Sequence, residues 1–264
     1  MVCPLLRAHR TCCNNFPVGM NERKLVYFAS DVHLGLEVNG PEARERRFID
    51  FLKRINAPET RALYLLGDVW DFWYEYRDVI PKDGVRTIAA LAELVEAGIE
   101  VYFFPGNHDL WTFGFLETFG IKVIRRQPVV VNIGDRDFCL AHGDGLGLGL
   151  CWYNVMNALF KCRLVQWLFS LLHPWIAYRI GRGWSQNKRM SRGLKYRFAG
   201  TREPLYRFSE SYAKRHHVDY FIYGHLHTKV DTVLHGGQRL IVLDSWISGG
   251  APYACFDGET LTVF

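Results

Sequence analysis

The sequence predicts an α/β fold whose core is two layers of sheet, built partly from strand–helix–strand units and partly from hairpins. Three observations predict it. Residues 25–104 alternate short apolar β-prone runs with runs of helical period, which argues a sheet with helices on its faces. Beyond residue 120, paired β-prone runs flank Gly134-Asp135, Gly236-Gly237 and Asp257-Gly258, which are hairpin signals. A chain of 264 residues with 49% hydrophobic and 22% charged content can bury a large core, and its composition excludes a disordered or collagen-like chain.

The elements follow in order. Residues 1–24 read as a flexible tail, because no apolar run there is long enough for a secretory signal, and Met20 is an alternative start. Leu25–Ser30 is a buried strand ending in Asp31. Residues 41–56 place Ala43, Phe48, Phe51, Leu52 and Ile55 on one helical face, ending near Pro58. Ala62–Leu66 is a second strand, ending in Gly67-Asp68. Residues 84–97 form a helix closed by Gly98. Glu100–Phe104 is a third strand, ending in Gly106-Asn107-His108-Asp109. Val129–Ile133 and Arg136–Ala141 form a hairpin that runs into His142-Gly143-Asp144. Residues 202–217 are helical, and the strand Val218–Tyr223 leads into Gly224-His225-Leu226-His227. Val230–His235 with Arg239–Leu243, and Tyr253–Phe256 with Thr260–Phe264, complete the hairpins.

Residues 145–202 interrupt the pattern. The block contains ten Lys and Arg and no Asp or Glu, and its first half is apolar at a spacing of three to four. Pro174 marks a helix break or a new helix start. We read an inserted helical subdomain within one domain spanning 25–264.

The net charge of +5 is a mild excess. The seven cysteines (Cys3, Cys12, Cys13, Cys139, Cys151, Cys162, Cys255) are odd in number and form no C-x-x-C pair. This argues against a disulfide framework or a zinc–thiolate site and for a reducing compartment, with the last four as small core or helix residues. No uncharged apolar stretch reaches about 18 residues, so no transmembrane helix is predicted.

Polar residues cluster where strands end. Asp31 and His33 sit at i and i+2, on one side of an extended segment. Asp68, then Asn107 and His108, then His142, then His225 and His227 follow later strands. Ligands in open α/β sheets gather at the carboxyl ends of strands. Two carboxylates, one amide and four imidazoles (Asp31, Asp68, Asn107, His33, His142, His225, His227) exceed one metal's needs but suit two metals that share a carboxylate. Mixed N/O donors without thiolate favour Mn, Fe or Zn over Mg or Ca. Two such ions clamp the attacking and leaving oxygens of a phosphoryl displacement, and a hydroxide held between them is a nucleophile at neutral pH.

Asp31-x-His33, Gly67-Asp68-x-x-Asp71, Gly106-Asn107-His108-Asp109, His142-Gly143-Asp144 and Gly224-His225-x-His227, in this order, resemble the calcineurin-like metallophosphoesterases. The resemblance spans residues 25–230. It implies a four-layer α/β/β/α sandwich, here with an inserted helical lid. It implies that Asp31, His33, Asp68 and His227 hold one metal, and that Asp68, Asn107, His142 and His225 hold the other, with Asp68 as the bridge. His108 resembles the residue that stabilises charge on the phosphate or protonates the leaving group, with Asp71 orienting it.

Leu66–Glu75, His142–Gly147 and the helical insert look more narrowly like the UDP-2,3-diacylglucosamine diphosphatases of lipid A biosynthesis. That likeness implies pyrophosphate hydrolysis to UMP and 2,3-diacylglucosamine 1-phosphate, with two divalent metals, Mn first and Fe or Zn as alternatives. The chain departs where those enzymes carry Arg and it carries His108. Their serine–asparagine–lysine pattern has an echo in Ser185, Asn187 and Lys188. With Arg192, Asn107, His108 and His225, these are the expected substrate contacts.

The insert supports a lipid substrate independently. Each CH₂ buried against Trp, Leu and Phe contributes about 0.8 kcal/mol. Basic residues suit a diphosphate or an anionic bilayer, at about 1 kcal/mol each near the surface, and Trp152, Trp167, Trp175 and Trp184 suit an interface. The expectation is a cytoplasmic enzyme, peripheral at the inner membrane, whose partner is an anionic lipid-linked nucleotide sugar and not nucleic acid. The aromatic run Asp68–Arg77 reads either as a wall for a base or sugar or as ordinary packing. The alternatives to this function are a dimetal phosphodiesterase or phosphatase for another substrate, and a metal-free scaffold of the same fold.

Overall fold

The computed structural model describes residues 23–148, 152–190 and 196–264, with the backbone alone at 152–154 and 184–190. Eleven strands and six α-helices are among the described residues. The first sheet has the order β11 (Leu261–Val263), β10 (Ala254–Phe256), β1 (Leu25–Ala29), β2 (Thr60–Leu65), β3 (Glu100–Phe103) and β4 (Lys122–Val123). The second has the order β5 (Val129–Ile133), β6 (Arg136–Leu140), β7 (Tyr220–Tyr223), β9 (Arg239–Val242) and β8 (Val230–Val233). Strands β1 to β4 are parallel, as are β6, β7 and β9, so both sheets present carboxyl ends at an edge.

Side-chain alternation builds the layers. Leu63, Leu65, Val101 and Phe103 point to α1 (Pro41–Ile55) and α2 (Val85–Glu96), where Phe48, Phe51, Leu52, Leu91 and Leu94 meet them. Their neighbours Val26, Phe28, Tyr64 and Phe104 point the other way, against Phe138, Leu140, Ile222 and Ile241 of the second sheet. The far side of that sheet, Cys139, Phe221, Tyr223 and Val242, packs on α6 (Pro204–Ala213) through Leu205 and Tyr206. The result is the four-layer α/β/β/α sandwich. A ladder of stacked rings, Tyr102–Tyr64–Phe28–Phe138–Tyr220, crosses from one sheet to the other. Each such pair contributes about 0.5–1.5 kcal/mol beyond its burial.

Among the described residues of 145–202 there are three α-helices, α3 (Trp152–Lys161), α4 (Arg163–Ser170) and α5 (Pro174–Met190). Pro174 opens α5, where its missing N–H costs nothing. The aromatic run after Asp68 packs against these helices and the core. Trp70 and Trp73 are fully buried. Phe72 meets Phe169, Tyr178 and Gly181, where an added Cβ would collide with its ring. Tyr74 Oη donates to Gln166 O at 2.7 Å and Trp111 Nε1 to Phe160 O at 2.8 Å. Arg182 pairs with Asp83. Most of the run is therefore packing, whereas Tyr74 also lines the cleft described below.

Two other expectations are corrected, and one strand was not expected. The buried face of α1 carries Arg44, fully buried, in phase with Phe48 and Phe51, whereas Ala43 is only partly covered. Cys162 is exposed at the α3–α4 junction, at the N-cap position of α4, where its side chain makes no capping hydrogen bond; Cys139 is buried and Cys255 half-buried. Strand β4 is too short for its pattern to show in the sequence.

Candidate metal centre

The pairing of β1 with β2 continues past both strands. Asp31 N donates to Gly67 O and His33 N to Asp68 O, each at 3.0 Å. In the second sheet, Gly224 N donates to His142 O at 2.9 Å. These bonds fix the loops from which the donors project. The segments themselves are not extended. Asp31, His33, Asp68, His225 and His227 have φ of 51° to 71°, the left-handed region that non-glycine residues rarely adopt. Asn39 is the one other such residue among those described. Asp31 and His33 thus converge through backbone strain and not through strand alternation. Strain of this kind, about 1–3 kcal/mol per residue, clusters at functional sites.

The glycines make room for the donors. A Cβ on Gly67 would stand 2.6 Å from His142 Nδ1. One on Gly106 would overlap the Asp68 carboxylate, and one on Gly224 the Asp31 carboxylate.

Two sets of donors result. Asp31, His33, Asp68 and His227 offer atoms all within 4.8 Å of one another, as do Asp68, His142 and His225. His227 Nε2 is 3.1 Å from Asp31 Oδ1 and 3.2 Å from His33 Nε2. Asp68 Oδ2 is 3.7 Å from His33 Nε2 and 3.4 Å from His142 Nε2, so one carboxylate oxygen faces both sets. Asp31, His33, Asp68 and His142 are fully buried or nearly so.

The tautomers are set from behind. His142 Nδ1 must donate to Leu66 O at 2.8 Å, and His33 Nδ1 faces Asp71 Oδ1 at 3.2 Å. Each Nε2 then keeps its lone pair for the interior of the site. Asn107 Oδ1 is buried with no hydrogen-bond donor. Lone pairs, an orphan amide oxygen and two carboxylates, without thiolate, fit two divalent cations.

The electrostatics agree. Burial alone would raise the Asp31 carboxyl, but His227 and His33 outweigh it and hold it well below the usual carboxylate range. Burial also opposes ionisation of Asp68, and His142, His108 and His33 hold it low. Burial lowers His142, yet Asp68 and Asp31 push it well above the ordinary imidazole value. Burial, then the His142 charge, bring His225 down to about 4.

His33, Asp71 and His108 form a third close group. His108 Nδ1 donates to the Asp71 main-chain O at 2.8 Å, while the Asp71 carboxylate lies 3.9 Å from it and nearer to His33. Asp71 thus holds His108 by its carbonyl and His33 by its side chain. His108 N donates to Asp68 Oδ1 at 2.9 Å, tying the shared carboxylate to the third strand's turn.

Three further residues shape the site. Asp109, fully buried, accepts from Gly106 N and Val69 N at 2.7 Å and from Asp68 N at 3.2 Å. Burial and the Asp68 charge push its carboxyl up to about 7. Arg44 donates to His33 O, Leu36 O and Val38 O and fixes the loop that carries His33. Ser245 Oγ donates to Asp31 O at 3.2 Å. The in-phase Arg44 and the fourth letter of Gly-Asn-His-Asp were the available sequence signals for two of them.

A cleft of about 1280 Å³ opens beside the centre, lined by Gly106, Gly143 and Asp144 at one end. Arg126, Lys161 and Arg163 line it with no acidic partner among the described residues, next to Leu164 and Trp167. Ser185, Asn187 and Lys188 lie on the backbone of α5, with side chains outside the described residues, as does all of Arg192. The side chains of Trp152 and Trp184, and all of Cys3, Cys12, Cys13 and Cys151, also fall outside the described residues.

Residues 24–229 match the family described as calcineurin-like phosphoesterase. A UDP-2,3-diacylglucosamine hydrolase of Porphyromonas gingivalis is 34% identical, over 91% of this chain and 97% of the relative. Proteins of the same name from Aeromonas hydrophila and Stenotrophomonas maltophilia are 30% and 29% identical, over 88% and 85% of this chain and 95% and 92% of the relatives.

Proposed function

The chain belongs to the calcineurin-like phosphoesterase family, and from that premise we propose that it hydrolyses the pyrophosphate bond of UDP-2,3-diacylglucosamine, giving UMP and 2,3-diacylglucosamine 1-phosphate. The observation that carries this reading is the meeting of two donor sets on Asp68 beside a cleft that is both cationic and apolar. Asp31, His33, Asp68 and His227 would hold one divalent cation, and Asp68, Asn107, His142 and His225 the other. Bound there, the cations supply Lewis-acid stabilisation of phosphoryl oxygens and lower the pKa of water. Manganese is the metal we propose first, with iron or zinc as substitutes.

The protein's own groups do the rest. Because His108 Nδ1 donates a hydrogen bond to the Asp71 carbonyl, Nε2 is the ring nitrogen left to face the leaving oxygen, and in the imidazolium form its own proton is the one passed to that oxygen, leaving the neutral Nδ1–H ring. Arg126, Lys161 and Arg163 bind the anionic headgroup. Leu164 and Trp167 line the same cleft and face the acyl chains, a wall that nucleic acid does not need.

The same reading places the enzyme at the cytoplasmic face of a lipid bilayer. Among the described residues no helix is long and apolar enough to cross one. Leu164, Trp167, Leu168, Leu171 and Trp175 are 51–64% exposed on α4, at its C-cap and at the start of α5, and Arg179 lies over the Trp175 ring. So much apolar surface in one place marks an interaction face. The test is UMP release with Mn²⁺ from UDP-2,3-diacylglucosamine against UDP-glucose. Preference for the acylated donor supports the reading, and equal or reversed turnover rejects it.

A further inference from the structure

The second donor set spans both sheets. Asp68 and Asn107 follow β2 and β3 of the first, whereas His142 and His225 follow β6 and β7 of the second. Gln127, in the link between β4 and β5, reaches both sides. Its Nε2 donates to Pro105 O at 2.8 Å, and its Oε1 accepts from His142 N at 2.7 Å. Pro105 leads directly into Gly106-Asn107.

We propose that Gln127 is a positioning residue for the second cation. Its amide sets the gap between the Asn107 turn and the His142 turn, and thereby that cation's affinity, without touching the ion. The inference rests on the dimetal reading above and adds a residue to it. The chemistry of the contact requires a primary amide. Pro105 offers only a carbonyl and the His142 main chain only an N–H there, so the strap must donate at one end and accept at the other. Glutamate lacks the donor, and asparagine is one methylene too short.

His142 is otherwise held at Nδ1 by Leu66 O and at its own carbonyl by Gly224 N. Gln127 tethers its main-chain N–H as well, and among the described residues this bond ties the His142 turn to the segment that leads into Asn107. Neither of its bonds reaches Asp31, His33 or His227. The effect should therefore fall on one cation and spare the other. Partners of this kind, one step behind the ligands, typically alter metal affinity about 10–100-fold.

The test is titration of metal-free wild-type, Gln127→Met and Gln127→Glu proteins with Mn²⁺. Bound metal is counted by equilibrium dialysis and spin coupling read by electron paramagnetic resonance. Methionine keeps the length and removes both bonds; glutamate keeps the acceptor for His142 N alone. Two spin-coupled Mn²⁺ ions in the wild type establish the dimetal reading separately from the strap. The expected result is that Q127M binds its first ion as the wild type does and its second about 10–100-fold more weakly, with an uncoupled spectrum at one equivalent. Q127E should fall between, and it carries the comparison alone if Q127M does not fold. Binding of both ions with wild-type affinity, or equal weakening of both, would overturn the proposal.

Discussion

His33 Nε2 and His227 Nε2 lie 3.2 Å apart, although they come from loops at the ends of different sheets. His33 Nδ1 is already turned to Asp71. Two ring nitrogens this close, one with its lone pair turned inward, fit a shared cation. A cation held there would also join the sheets, so metal should stabilise the fold. At a free Mn²⁺ concentration 100 times the dissociation constant, one site is worth about 2.7 kcal/mol. His227→Ala should lose part of the gain. Thermal unfolding with and without chelator checks this, and an unchanged midpoint would contradict it.

Metal uptake should release protons. In the metal-free protein, despite the opposing effect of burial, Asp68 and Asp31 push the His142 pKa well above its usual value, so they favour a proton on the Nε2 that a cation would occupy. A cation needs the neutral ring. Affinity should therefore rise with pH until the His142 pKa is passed, then level off. Calorimetry in buffers of different ionisation enthalpy reads the protons released. His142→Gln should release fewer, and equal release by both proteins would count against the assignment.

Arg44 should matter for stability far more than an ordinary helix arginine. Its guanidinium serves three main-chain carbonyls in a fully buried place. Leaving such groups unsatisfied costs about 1–3 kcal/mol each. Arg44→Ala should lower stability by about 3 kcal/mol or more, read as a shift in the urea midpoint. A shift near zero would show that the loop holds His33 unaided.

The exposed face of α4 should serve substrate and not folding. Leu171→Glu changes a residue 64% exposed, so stability should move by less than about 0.5 kcal/mol. Binding to anionic vesicles should weaken, and KM for the acylated substrate should rise while turnover of a small soluble diester is kept. Unchanged vesicle binding would remove this face from the interface.

What was legible in the sequence, and what was not, follows from the range of the interactions. Strands and helices showed because burial imposes a local period. The donors showed because each stands directly after a strand, where a polar residue has no packing reason to be. Arg44 was hidden because a charge within an apolar stripe looks like an interruption, until the three carbonyls it serves are seen. The left-handed backbone of five donors was hidden because Asp and His do not announce it as Gly does. Gln127 was hidden because no local pattern ties residue 127 to residues 105 and 142. The aromatic run after Asp68 could not be assigned, since its packing partners lie about a hundred residues away on α4 and α5.

The most direct measurement is anomalous diffraction at the manganese edge from crystals grown with Mn²⁺. Two peaks are expected on either side of Asp68, one among Asp31, His33 and His227, the other among Asn107, His142 and His225. A single peak, or one between Asp71 and His108, would contradict the shared-carboxylate centre from which the proposed chemistry follows.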